Sequence, residues 1–142
     1  MPLHPLAGHP APASMLDGVS KGLPGVMEAF QMTTKVARVG FDWRDTPSVM
    51  AKLDEEVAEL EEAVAAGAKD AIADELGDLL FVSVNVARVL GVDPESALKA
   101  ANRKFRRRFK YIEERLGADG RRPEDASLDE MDALWEESKR RE

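Results

Sequence analysis

The sequence predicts an all-α protein, an antiparallel helical bundle of roughly five helices. Three observations point there. Apolar residues recur at helical spacing along every long segment. Four of those segments begin at Pro, Thr, Asp or Ser and four end at glycine, the signals that start and stop helices. No strand-like alternation stands apart from the helical segments, and no convincing internal repeat is visible.

Residues 1–22 are rich in Pro, Ala, Gly and His without a period, which predicts a flexible or extended tail before a domain over 23–142. Helix one runs from about Pro24 to Val39, with Gly40 as its C-cap. The loop Gly40–Asp45 then holds two aromatics, Phe41 and Trp43, in a chain that is only 6% aromatic. Thr46 as N-cap and Pro47 at the first turn open helix two, which ends at Gly67. Its core stripe is Leu53, Val57, Leu60 and Val64. At about 100° per residue, Glu56 and Glu59 share one flank of that stripe, whereas Asp54, Glu61 and Glu62 face water.

Helix three runs from about Lys69 to Leu90, closed by Gly91. From Leu76 onward it is apolar nearly all round, the pattern of a helix buried on several sides. Glu75 and Asp78 stand one turn apart at its start, where an acid needs a cation or strong hydrogen bonds. Gly77 between them costs roughly 1 kcal/mol of helix propensity, which close approach of another helix would explain. Asp93-Pro94 starts helix four, with a core stripe of Leu98, Ala101, Phe105, Phe109, Ile112 and Leu116 and an end at Gly117. Lys104 and Arg108 flank that stripe together. After Arg121-Arg122-Pro123, a capping box of Ser127 and Glu130 opens helix five, which carries Met131, Leu134, Trp135 and Lys139.

A chain of 142 residues is long enough for one domain with a real core. A formal charge of −7 argues against a general nucleic-acid binder. With no cysteine, disulfides, thiolate metal sites and a Cys nucleophile are excluded. The two histidines, His4 and His9, sit in the expected tail, so a histidine-based site inside the domain is not expected. The apolar run from Leu79 to Leu90 is broken by Ser83, Asn85 and Arg88, and the N-terminus lacks the pattern of a signal peptide. No membrane association is expected, and a cytoplasmic address is the default.

The acids form two patterns, Glu55-Glu56-x-x-Glu59 and Glu75-x-x-Asp78. The first alone reads most simply as a solvated helix face, and Lys52 to Glu56 reads as an ordinary pair one turn apart. The second repeats the one-turn carboxylate spacing on the next, more apolar helix. Two antiparallel helices joined at Gly67 can bring Glu56, Glu59, Glu75 and Asp78 face to face, and four carboxylates in one place repel unless a cation joins them. Oxygen ligands without His or Cys suit Mg²⁺, or Mn²⁺ as a substitute. The run Arg103–Lys110 is basic, and Arg103, Arg106, Arg107 and Lys110 read as a solvated stripe. Lys104 and Arg108 adjoin the core flank, and a Lys/Arg pair beside an acid cage suits a metal-bridged polyphosphate. On composition alone Trp135, Phe41 and Trp43 read as core, and Asn102 as either a structural hydrogen-bonder or a substrate contact.

In order, Val39-Gly40-Phe41-Asp42-Trp43, the two acidic patterns, Ala101-Asn102-Arg103-Lys104-Phe105-x-Arg107-Arg108-Phe109 and Trp135-x-x-x-Lys139 resemble the MazG-type nucleoside triphosphate pyrophosphohydrolases. The resemblance covers roughly residues 16–140, and it is to the catalytic C-terminal copy of a domain many members carry in tandem. It implies the all-α NTP pyrophosphatase fold, Mg²⁺ dependence, and hydrolysis of a nucleoside triphosphate to the monophosphate and pyrophosphate. Carried over by position, Glu56, Glu59, Glu75 and Asp78 are metal ligands, and Asp78 also borders the substrate. Lys104, Arg108 and Lys139 hold phosphates, Trp135 contacts the nucleotide, and Lys52 to Glu56 line the substrate site. Glu55 either handles the attacking water or supports the ligands from behind. A homodimer or dimer-based tetramer is also implied, in keeping with the excess of apolar faces on helix three.

Three functions follow as expectations. The first is an enzyme in which water attacks the α-phosphorus of the nucleotide. The second is a regulatory module that binds a nucleotide or alarmone without turnover. The third is a helical interaction protein whose acidic face does no chemistry.

Overall fold

The computed structural model describes residues 13–142, whose regular structure is all helix. Residues 1–12 of the expected tail, with His4 and His9, lie outside the described residues. The helices are α1 (Gly25–Ala37), α2 (Thr46–Ala66), α3 (Lys69–Val89), α4 (Pro94–Ala118) and α5 (Leu128–Arg140). They fall into two compact units, one ending at Glu95 and the other Ser96–Glu142.

In the first unit α2 and α3 form a helical hairpin across the short link Gly67–Ala68. Gly67 makes that link possible because its φ of 66° lies in the left-handed region that side chains disfavour. α1 packs on α3. The buried side chains are Ala29 and Thr33 from α1, Val49, Glu56 and Ala63 from α2, and Val82, Val84 and Asn85 from α3. A 3₁₀ turn over Met15–Gly18 packs on α1 where an irregular tail was expected. It forms because Ser14 and Asp17 cap each other: the Leu16 amide donates to Ser14 Oγ and the Ser14 amide to Asp17 Oδ2, both at 3.1 Å.

Several expectations change here. The N-cap of α2 is Asp45 rather than Thr46, its Oδ1 accepting from the Ser48 amide at 2.9 Å and from Ser48 Oγ at 2.6 Å. A carboxylate outcompetes a hydroxyl at that position because it accepts both bonds at once. Among the described residues a Cβ added to Gly77 would meet nothing within 4 Å, so close approach of a helix within this unit does not account for it. The α2 stripe is only partly covered, with Val57 and Val64 exposed. α3 is likewise not buried all round: Leu76 and Phe81 are open and Leu80 is 60% exposed.

In the second unit α4 continues through Gly117 to Ala118, and the chain turns at Gly120 instead, where φ is 71°. Ile112, Leu116 and Ser138 are buried, while Leu98 and Phe105 at the other end of the expected stripe are exposed. Phe105 stacks on Phe109 at 6.3 Å and meets Trp135 at 5.6 Å. Ser127 caps α5 by accepting from the Glu130 amide at 3.1 Å. The reciprocal half of the capping box is missing because Arg121 claims the Glu130 carboxylate.

Candidate functional site

The hairpin brings Glu56 of α2 against Glu75 and Asp78 of α3. One carboxylate oxygen from each lies within 4.8 Å of the others. Glu56 is buried, Glu75 half-buried and Asp78 exposed, so the cluster grades from the helix interface to solvent. Glu59 stands beside Glu75 and Glu56. Its pKa is pushed up to about 7, first by a hydrogen bond shared with Glu75, then by desolvation and the charges of Glu56 and Glu75. Like charges this close make one acid hold its proton unless a cation arrives.

Two oxygens in the cluster, Glu56 Oε2 and Glu75 Oε2, are buried and have no hydrogen-bond partner. A buried carboxylate oxygen without a donor is expensive. Three converging carboxylates with two orphaned oxygens therefore fit a hard divalent cation, which takes oxygen ligands and offsets their charge. The other oxygen of Glu56 is held by Lys52, whose Nζ lies 3.1 Å from both Glu56 Oε1 and Glu55 Oε1. That hold, first from Glu56 and then Glu55, pushes the Lys52 pKa up to about 12. Glu55 itself is exposed and pairs with the same Lys52.

The remaining expected residues lie on α4 and α5. Arg108 stacks over the Trp135 ring at 5.4 Å. Its guanidinium is a two-point fork on Glu142, Nε donating to Oε1 at 3.0 Å and Nη2 to Oε2 at 2.9 Å. Arg107 adds bonds to the same Oε1. Arg108 and then Arg107 hold the Glu142 carboxyl down to about 2. A fork engaged by a carboxylate is also shaped for phosphate. Lys139 makes a loose pair with Glu136 at 3.7 Å, and Asn102 and Lys104 are exposed.

Sequence reasoning missed Arg88. Its Nη1 and Nη2 donate to Asp42 at 3.1 and 2.7 Å, its Nε to Thr33 Oγ1 at 3.2 Å, and Nη2 also to Asn85 Oδ1 at 3.0 Å. One side chain thus ties α1, α3 and the loop before α2. The signal was present: an Asn and an Arg one turn apart inside an otherwise apolar run need partners.

Residues 44–112 match the family model of the MazG nucleotide pyrophosphohydrolase domain. That span contains the acids, Lys52, Asn102, Lys104 and Arg108, and leaves Trp135 and Lys139 outside. The chain is 40% identical over 129 residues to the nucleoside triphosphate pyrophosphohydrolase/pyrophosphatase MazG of Thermotoga maritima, covering 89% of this chain and 49% of that one. It is 40% identical over 133 residues to the nucleoside triphosphate pyrophosphohydrolase of Escherichia coli K12, covering 91% and 50%. A third relative, YabN of Bacillus subtilis, is 53% identical over 68 residues, 48% of this chain and 14% of that one. The chain spans about half the length of the first two relatives. The acid cluster lies inside the span that matches the MazG nucleotide pyrophosphohydrolase domain, and the similarity to the two pyrophosphohydrolases extends over most of this chain.

Proposed function

We propose that this chain hydrolyses nucleoside triphosphates, ribo or deoxy, to the monophosphate and pyrophosphate, using Mg²⁺ held by Glu56, Glu59, Glu75 and Asp78. The observation that carries the reading is the convergence of Glu56, Glu75 and Asp78 with two buried, unpartnered oxygens. A bound divalent ion supplies charge that offsets the acids and polarises phosphate oxygens and water. The chain's own residues do the rest. Lys52 fixes Glu56 and Glu55. Lys104, Arg108 and Lys139 hold phosphate oxygens and neutralise the leaving group, while Trp135 and Asn102 contact the nucleotide. Water oxygen bonds to the α-phosphorus, the bond from that phosphorus to the bridging oxygen breaks, and pyrophosphate leaves. Glu55, next to the cage and exposed, takes the water's proton.

The functional unit in this reading is the domain over 23–142, acting as a homodimer or dimer-based tetramer in the cytoplasm. The uncovered side chains Val57, Val64, Leu76 and Leu80 support the association. Among the described residues no helix is long and apolar enough to cross a membrane. The test is pyrophosphate release from a panel of NTPs and dNTPs with and without Mg²⁺. Glu56→Gln and Asp78→Asn should abolish release while circular dichroism stays unchanged. Single-turnover incubation that returns intact nucleotide would point instead to a binding module.

A further inference from the structure

Beside the acids, in the same unit, lies a second feature that the proposed reaction does not use. A cavity of about 410 Å³ is lined by Phe41, Asp42 and Trp43 of the loop before α2 and by Phe81, Asn85 and Arg88 of α3, with side chains of the 3₁₀ turn and of α1 completing it. Its size is in the range that small-molecule sites occupy.

Its chemistry selects an occupant. Phe41 is 78% exposed and Phe81 41% exposed, so the aromatic walls are open rather than packed away. The cation in the cavity, Arg88, is already neutralised by Asp42 through both Nη atoms. The cavity therefore offers no free positive charge to a phosphate. Asn85 is only 4% exposed and is held in place, its Nδ2 donating to the Phe81 carbonyl and its Oδ1 accepting from Arg88. One amide hydrogen and one oxygen lone pair remain on it. A neutral, flat, heteroaromatic group with donors and acceptors on its edge suits aromatic walls and a fixed amide.

Position supports the same occupant. Asn85 follows Asp78 by seven residues, which places the two within about 20° of one face of α3 and about 10 Å apart along it. That is the order of the span from a nucleotide's phosphates to its base. We infer that this cavity is the nucleobase subsite, with Phe41 and Trp43 stacking the base and Asn85 reading its edge. The inference rests on the acids being the triphosphate site, as proposed above.

The test uses the full chain. Phe41→Ala removes an exposed wall with little risk to folding. It should raise KM for NTPs about tenfold with kcat held, since stacking on one aromatic is worth that much. Tripolyphosphate, which carries phosphates and no base, should inhibit the variant with the wild-type Ki. Asn85→Ser, checked for folding by thermal melt, should change the ratio of kcat/KM between purine and pyrimidine substrates. An unchanged KM and base preference in Phe41→Ala would overturn the subsite. So would a Ki for tripolyphosphate that rises together with KM, since the change would then lie at the phosphates. Should the wild type release pyrophosphate from no nucleotide, the hydrolase reading falls. The cavity is then decided by equilibrium dialysis of nucleoside monophosphates, where tenfold weaker retention by Phe41→Ala supports it and equal or absent retention overturns it.

Discussion

The two compact units handle charge in opposite ways. In Ser96–Glu142 the main cations have partners on the chain: Arg108 with Glu142, Arg115 with Glu137, Arg121 with Glu130. In the hairpin unit a group of acids is left in conflict. Glu56, Glu75 and Asp78 face one another, Glu59 keeps a proton near neutral pH, and two carboxylate oxygens have no donor. Where charges are paired internally, the fold explains them. Where like charges are pressed together and desolvated, a cation from outside would relieve them.

The comparison is broken or upheld most strongly by one substitution in each unit. Glu75→Gln removes a negative charge from the conflict. Without divalent cation the variant should melt above the wild type, because repulsion is relieved. With Mg²⁺ the order should reverse, since a ligand at 100 times its Kd adds about 2.7 kcal/mol to a site that binds it. Turnover should fall about 100-fold or more, the loss at the top of the range seen even for the partners of metal ligands. Glu137→Gln, in the paired unit, should lower the melting temperature by the same amount with or without Mg²⁺, because it strips a partner from Tyr111 and Arg115. Differential scanning fluorimetry with Mg²⁺ titration reads all four cases, and an unchanged order on adding Mg²⁺ would remove the metal site.

A second pair sharpens the contrast within α4. Arg108→Ala and Arg115→Ala each delete a guanidinium bound to a glutamate and lying over an aromatic ring. Only Arg108 is assigned to phosphate. Its loss should lower kcat/KM by about 100-fold, the scale of one positioned charge on a developing anion. Arg115→Ala should leave kcat/KM alone and cost only stability. Equal kinetic losses would make both residues structural. A third test addresses the open apolar face. Leu80 is 200° from Asp78 around α3, so Leu80→Asp leaves the acids alone. It should weaken self-association by about 2 kcal/mol or more, as a central interface residue does, and sedimentation would show a smaller species at equal concentration.

Much of this was legible in the chain. The helices could be read because their starts and stops are chemical, and Pro47, Gly67, Gly91 and Pro94 stand near the observed boundaries. The acid cluster could be read because two one-turn carboxylate pairs on successive helices meet once the helices fold back. Periodicity, however, names the residues that share a face and not what covers that face. Val57, Val64 and Leu80 therefore belonged to apolar stripes and still emerged exposed. The Arg88–Asp42 pair spans 46 residues, and no local spacing encodes such a partner. Competition between partners was equally hidden: Glu130 had a reason to bond back to its own N-cap, and Arg121 offered a charged alternative.

The smallest effect tests whether the pairing of Arg108 is electrostatic at all. Glu142 is ordinarily half-ionised at 4.5 and in the folded chain only at about 2, held down by Arg108 and then Arg107. A depressed carboxyl stabilises the fold fully above its unfolded value, and that contribution is lost as pH falls through the folded one. Glu142→Gln should therefore be less stable than the wild type at neutral pH. The gap should close steadily between about pH 4.5 and 2 in urea melts. It should also shrink in high salt, because the pair lies near the surface. A gap that stays constant across that window would assign the contact to packing around Trp135, and Arg108 would then reach phosphate without first surrendering a charge partner.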